Sequence, residues 1–155
     1  MGFFNWFKRL TSAETVQDTN SPPAEGDHGA EIGGLNFMAA IDVHMKWKGQ
    51  LESYIQGAGR EDMQVEIISR DDQCLLGQWI YGAGNARYGT LDTFAEMKAQ
   101  HAHFHVCAGK VLATAKEGHK QEALHMLAHG DYLRASERIK MLLAKLYVQI
   151  AERAQ

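Results

Sequence analysis

The sequence predicts an all-α fold, an antiparallel four-helix bundle with one or two extra short helices. Apolar residues recur at helical spacing almost throughout the chain after residue 35, and no strand alternation is convincing after residue 70. Long helices joined by short loops pack as antiparallel neighbours, which favours a bundle. The 155 residues suit one domain with a tail, and a hydrophobic content of 45% indicates a globular chain.

The N-terminal part differs in composition from the rest. Residues 1–10 combine apolar aromatic side chains with two basic ones, a pattern typical of a short amphipathic helix that docks on a partner or contacts a membrane surface. The alternative is a frayed terminus whose aromatic side chains pack on the body or on a second copy. Residues 11–34 are polar and proline-containing, so we interpret them as a flexible linker. The folded domain is expected to occupy residues 35–155.

Four further segments complete the first half of the predicted bundle. Residues 36–56 form a helix whose apolar face includes Ile41, His44, Trp47 and Leu51. Residues 61–70 fit a short helix or an extended stretch equally well. Residues 71–82 form a second helix with Asp71 or Asp72 as its N-cap, and the glycines at 82 and 84 end it. A loop then runs to residue 90.

The second half of the chain contains the longest predicted helices. Thr90 is the expected cap of a helix over residues 91–116, which Gly118 ends. A short helix over residues 119–128 ends at Gly130. A last helix starts at Asp131 and runs to the C-terminus, with leucines and isoleucines on one face.

Charge and composition disfavour several classes of protein. The net charge of -3 lacks the basic surface that phosphate binding requires, so we expect no nucleic-acid partner. The 2 cysteines do not make a disulfide framework, and no signal-peptide or transmembrane pattern occurs in the sequence. A cytoplasmic location, where free thiols persist, is therefore expected.

Histidine is unusually frequent, with 8 residues, and three of them lie between positions 101 and 105. On a helix, His101 and His105 are four positions apart and project from the same face, where they can offer two imidazoles to one metal ion. His103 and Cys107 point away from that face. Cys107 is interpreted as a small buried residue, and a weak second metal site at His119, His125 and His129 is less expected than solvent-facing positions for those side chains.

A closed structural zinc site needs four ligands, so two more must come from other helices. His44 lies on the apolar face of the first helix, where a buried imidazole must be paired or ligated. Cys74 lies in the second helix, and thiolate and imidazole are both good zinc ligands. Taken singly, His44 is more typical of a satisfied core histidine and Cys74 of a small hydrophobic residue. The combination is a much stronger indication of a metal site.

Three motifs resemble the chemoreceptor zinc-binding domain, a bacterial family of chemoreceptors and diguanylate cyclases. These motifs are His44-Met-Lys-Trp47, Cys74-Leu-Leu-Gly-Gln-Trp79 and His101-Ala-His-Phe-His105. The resemblance covers about residues 36–155. One departure is that Lys46 stands two positions after the first histidine, where the family pattern has an apolar residue.

The resemblance implies a helical bundle, a Zn2+ site made by His44, Cys74, His101 and His105, and a homodimer. It also implies a sensory or regulatory domain that responds to zinc or, through the zinc-bound thiolate of redox-sensitive Cys74, to oxidants. Because the usual signalling output is absent from the sequence, we interpret the chain as a stand-alone version whose protein partner in bacterial signalling is unknown. Loss of zinc is expected to loosen the first two helices against the long one.

Two other functional classes remain as hypotheses. A zinc enzyme is disfavoured, because four protein ligands close the site and the sequence contains no His-Glu-x-x-His run or phosphate-binding glycine loop. The main alternative is a structural, zinc-stabilised scaffold bundle that docks on partners or a membrane through the aromatic residues of segment 1–10.

Overall fold

The computed structural model describes residues 31–58 and 62–154. No strand occurs among these residues, which form seven helices with a π-helical turn between the third and the fourth. In chain order the elements are α1 Phe37–Ile55, α2 Val65–Ile68, α3 Leu75–Trp79, the π-helical turn Ile80–Gly84, α4 Asn85–Tyr88, α5 Asp92–Lys116, α6 Lys120–His129 and α7 Asp131–Arg153. The predicted all-α bundle is confirmed. The predicted segment 1–10 and most of the linker 11–34 lie outside the described residues, and the domain boundary at residue 35 stays a prediction.

Helix α7 packs antiparallel to both α1 and α5, and the three long helices share a common core. The ring of Phe37, at the start of α1, lies 5.8 Å from that of Tyr147, near the end of α7. Phe104 of α5 lies 5.4 Å from Tyr132, at the start of α7, and Glu96 of α5 binds Arg138 further along α7. Large apolar side chains of all three helices are fully buried between them, and each such burial contributes about 1.5–3 kcal/mol.

The ends of the long helices follow from local chemistry, with one exception. Asn36 caps α1, its Oδ1 accepting a hydrogen bond from the Ala39 N–H at 2.9 Å. Gly118 follows α5 with a φ of +89°, which terminates that helix as predicted. The prediction that Thr90 caps α5 is wrong, because the extended residue before the helix is Leu91, which makes no side-chain cap. Leu91 packs against the core, and that packing sets where α5 begins.

Residues 71–88 differ most from the prediction. The expected helix over residues 71–82 begins only at Leu75, and neither Asp71 nor Asp72 caps it, because their carboxylates bind Tyr81 and Arg70. The chain kinks at the non-helical Gly82 and continues through α4 to Tyr88 instead of ending at the glycines. The open alternative for residues 61–70 is resolved as the single turn α2. A Cβ atom at Gly109 of α5 would overlap the Ser69 hydroxyl, so this glycine allows the end of α2 to approach α5 closely.

Among residues 31–58 and 62–154, no helix is both long enough and apolar enough to span a bilayer.

Candidate metal centre

Four potential metal ligands from three separate parts of the fold meet inside the bundle. His44 comes from the middle of α1, Cys74 from the residue that precedes α3, and His101 and His105 from one face of α5. Each of the four residues is at most 2% exposed. Their ligand atoms all lie within 4.8 Å of one another. The structure thus brings together all four residues that the sequence indicated.

Four of the six distances between these atoms are close to the edges of a zinc tetrahedron, and all six are at most 4.8 Å. Nε2 of His101 lies 3.2 Å from Nε2 of His44 and 3.2 Å from Nε2 of His105. Sγ of Cys74 lies 3.3 Å from Nε2 of His101 and 3.7 Å from Nε2 of His105. Zinc bonds of 2.0–2.3 Å give tetrahedral edges of about 3.4 Å between two nitrogens and about 3.6 Å between nitrogen and sulfur. The four residues therefore fit this ion in donor type and in spacing.

Backbone carbonyls orient two of the three imidazoles. Nδ1 of His44 lies 2.6 Å from the Ala40 carbonyl oxygen, and Nδ1 of His105 lies 2.8 Å from that of Ile68. An imidazole that donates its Nδ1–H to a carbonyl presents the Nε2 lone pair on its other side. Nε2 of His101 lies near both lone pairs and can donate a hydrogen bond to only one of them, whereas a single bound cation can accept both.

Burial keeps the cluster uncharged in the absence of a metal. It lowers the pKa of His44 to about 4 and also lowers the pKa values of His101 and His105. It raises the pKa of the Cys74 thiol to about 12. At neutral pH the metal-free site therefore holds three neutral imidazoles and a thiol, and a metal that takes all four ligands must displace the thiol proton.

A tight loop positions Cys74. Its Sγ accepts a hydrogen bond from the Gly77 N–H at 3.3 Å, so the metal-ligand candidate is itself the N-cap of α3. A Cβ atom at Gly77 would overlap the carbonyl oxygen of Asp71, which explains why glycine occupies this position. The Tyr81 hydroxyl donates to the Asp71 carboxylate at 2.6 Å and stabilises the same loop.

Trp79 anchors α3 on α1 and α5 and on residues 31–36, the N-terminal arm. Its indole N–H donates to the Gly33 carbonyl at 2.8 Å, and its ring makes edge contacts with Phe37 at 5.6 Å and Phe94 at 5.7 Å. The aromatic residue of the Cys74 motif therefore fixes the helix that carries the cysteine.

The other histidines among the described residues and the second cysteine lie away from this cluster. Sγ of Cys107 lies 3.5 Å from Nε2 of His103, on another face of α5. The imidazole of His119 lies near Glu117 and Glu122, and the rings of His125 and His129 lie 5.0 Å apart on α6.

Sequence reasoning missed the carbonyls of Ala40 and Ile68, which carry no residue-type signal. The role of Gly77 could have been found, since that glycine belongs to the quoted motif.

The comparisons with known proteins agree with this geometry. The family model described as the chemoreceptor zinc-binding domain matches residues 44–112, a span that includes all four clustered side chains. Comparisons with curated proteins and with solved structures give no match. The family match and the three-histidine, one-cysteine group together support zinc binding. Residues 44–112 of the chain are thus similar to the chemoreceptor zinc-binding domain family, in agreement with the three sequence motifs.

Proposed function

We propose that His44, Cys74, His101 and His105 bind one Zn2+ ion and that the domain is a sensory or regulatory module. It responds to zinc availability or to oxidants and signals to a protein partner by rearranging helices. The observation that carries this proposal is the convergence of four buried ligand atoms within 4.8 Å of one another, contributed by α1, the start of α3 and α5. When bound, zinc supplies a positive charge that holds the thiolate and three imidazoles together.

Zinc binding is linked to helix rearrangement because one ligand, Cys74, lies among helices too short to be stable alone. Helices α2, α3 and α4 contain 4, 5 and 4 residues, far below the length at which an isolated helix is stable. Cys74 lies among them, whereas His101 and His105 lie on a helix of 25 residues. Ligation of Cys74 therefore stabilises residues 62–91 against α5, and loss of that ligand releases this segment first.

A path toward the N-terminal residues starts at the same segment. Trp79 lies five positions after Cys74, and its indole N–H donates a hydrogen bond to the Gly33 carbonyl at 2.8 Å. A shift of α3 therefore alters the arm at residues 31–36, to which segment 1–10 is connected. We propose that this segment contacts the partner, a second copy in a homodimer or a membrane surface.

Oxidation provides a second input through Cys74. A zinc-bound thiolate is the form that a peroxide or hypochlorous acid attacks, and two-electron oxidation to the sulfenic acid removes one ligand. Because Cys74 is 2% exposed, the oxidant reaches it when the short helices open. Oxidation of Cys74 and loss of zinc thus both favour the release of residues 62–91 from α5.

Four ligands leave no open coordination position, which favours a regulatory role over a zinc-activated water. A purely structural zinc scaffold is the other outcome that the experiments must separate. In that case the ion would be held far more tightly than free intracellular zinc, and its loss would unfold the domain rather than rearrange it.

The test combines metal analysis with a chelator competition on the full chain. We expect one tightly held zinc per chain and, for Cys74→Ala, an affinity lower by more than about 100-fold, since even outer-shell changes reach that size. His125→Ala removes an exposed imidazole of α6 and serves as the matched control, with unchanged affinity. Equal zinc retention by the wild type and Cys74→Ala would refute the site.

A further inference from the structure

A second pair of metal-ligand side chains lies on another face of α5. His103 and Cys107 are one helical turn apart, and Nε2 of the imidazole lies 3.5 Å from Sγ of the thiol. Neither residue belongs to the four-residue cluster. The proposed zinc-sensing function uses neither of them.

The spacing and exposure of this pair suit a metal ion with open coordination positions. A tetrahedral ion bound to one imidazole and one thiolate requires a nitrogen–sulfur separation of about 3.6 Å, close to the distance in the structure. The helix backbone places the two residues one turn apart and their rotamers set this separation, so little reorganisation is needed. Cys107 is 4% exposed while His103 is exposed, so an ion can enter beside the imidazole and keep water on its outer side.

The surroundings supply groups that complement a bound cation. Asp131, at the start of α7, interacts electrostatically with both His103 and Cys107, and its carboxylate also binds Arg134 at 2.5 Å. The Tyr132 hydroxyl is buried and has no hydrogen-bond partner among the described residues. Burial and the neighbouring Cys107 raise the pKa of Tyr132, so the hydroxyl stays protonated. The positive charges of Lys110 and Arg134 favour the thiolate form of Cys107, whereas the negative charge of Asp131 disfavours it.

We propose that His103 and Cys107 form a second, weaker site for a thiophilic divalent cation such as Zn2+ or Cd2+. The two side chains supply one nitrogen and one sulfur, the thiol proton passes to solvent, and water fills the remaining positions. With two protein ligands instead of four, the site binds and releases its ion more readily than the buried cluster does.

The experiment is a Cd2+ titration of the metal-free full chain, followed by the ultraviolet charge-transfer absorbance of cadmium–thiolate bonds. The wild type is expected to show two increments, the first at the buried cluster and the second at higher Cd2+ concentration. Cys107→Ser should keep the first increment and lose the second. His103→Ala changes an exposed side chain and should weaken the second step about tenfold or more. His125→Ala is the control for surface imidazoles and should leave both steps unchanged.

Two results would overturn the proposal. A single increment in the wild type, unchanged in amplitude by Cys107→Ser, means that the pair makes a thiol–imidazole hydrogen bond only. A second increment that keeps its Cd2+ affinity in His103→Ala means that Cys107 binds the ion without this imidazole. Retention of the first increment reports that each variant is folded, and Cys74→Ala, which should lose only the first, separates this site from the one proposed above.

Discussion

Two regions of this domain contribute to one cluster and differ in what holds them in place. The framework of α5 and α7, with 25 and 23 residues, is joined by fully buried apolar side chains along both helices. The segment 62–91 contains only helices of 4 to 5 residues; it buries apolar side chains such as Ile68 and Ile80, and it also reaches the cluster through the Ile68 carbonyl and the Cys74 sulfur. The comparison teaches that burial stabilises both regions, and that the segment, whose helices are too short to be stable alone, depends on the chemistry of the cluster as well.

The largest expected effect tests the framework alone. Leu143→Ala removes a fully buried side chain of α7 and should lower the free energy of unfolding by about 2–5 kcal/mol. The loss should be the same in zinc-loaded and chelated protein, as measured by urea denaturation. Met141→Ala, whose side chain is 51% exposed on the same helix, should change stability by less than about 0.5 kcal/mol. A loss at Leu143 that depended on zinc would contradict the separation of the two regions.

The next effect tests the segment. Gly77→Ala places a Cβ against the Asp71 carbonyl, and relief of that overlap shifts the N–H that binds Cys74, so we expect a loss of about 1–3 kcal/mol together with weaker zinc binding. Gly49→Ala, in α1 where a Cβ meets no atom within 4 Å, is the matched control. It should raise stability by about 0.5–1 kcal/mol without changing zinc affinity. Equal zinc affinities for the two variants would show that Gly77 does not position the cysteine.

A smaller effect is expected where the segment holds the N-terminal arm. Trp79→Phe removes the hydrogen bond to the Gly33 carbonyl, worth about 1 kcal/mol, while an aromatic ring remains against Phe37. Amide exchange at residues 32–36 should accelerate, and the zinc affinity should change little. Unchanged exchange in this arm would break the proposed path from Cys74 toward the N-terminal residues.

The smallest expected effect is the number of protons released when zinc binds. Since the metal-free histidines have lowered pKa values and the Cys74 thiol has a pKa of about 12, zinc binding near pH 7.5 should release about one proton. Calorimetry in buffers of different ionisation enthalpy measures this number, and Cys74→Ala should release none. Release of two or more protons from the wild type would mean that the histidines are charged before zinc binds.

Acidification should lower the free energy of unfolding of the metal-free domain, because the lowered pKa of His44 links its stability to pH. The pKa of His44 is about 4 in the folded protein and about 6.5 in the unfolded chain, so the unfolded state binds more protons between these values. Stability should therefore fall as the pH drops from 6.5 toward 4. His44→Gln, which cannot titrate, should show a shallower pH dependence in thermal denaturation.

The sequence predicted the framework better than the segment, and the reason is physical. The helix expected at residues 91–116 is observed at Asp92–Lys116, and the last helix begins at Asp131 as expected, because long apolar periods determine where such helices lie. The predicted helix over residues 71–82 was wrong at both ends. Its aspartates bind Arg70 and Tyr81 rather than the helix terminus, and a cysteine sulfur takes the capping role.

The candidate site could be predicted as a set of residues but not as an environment. His44, Cys74, His101 and His105 were found from residue type and helical spacing and from the resemblance to a family, and the structure brings them together. The carbonyls that orient His44 and His105 could not be found, since every residue has a carbonyl and only the fold determines which ones face an imidazole. The contact between His103 and Cys107 also needed the structure, because the side-chain rotamers bring the two atoms together.

Hydrogen exchange of the full chain, zinc-loaded and chelated, tests the central claim most directly. The account predicts that zinc removal accelerates exchange by orders of magnitude in residues 62–91, and by less around His44 in α1. The buried turns of α5 and α7 beyond the site should keep their protection. Identical protection of residues 62–91 in the two states, or a uniform loss across α5 and α7, would contradict it.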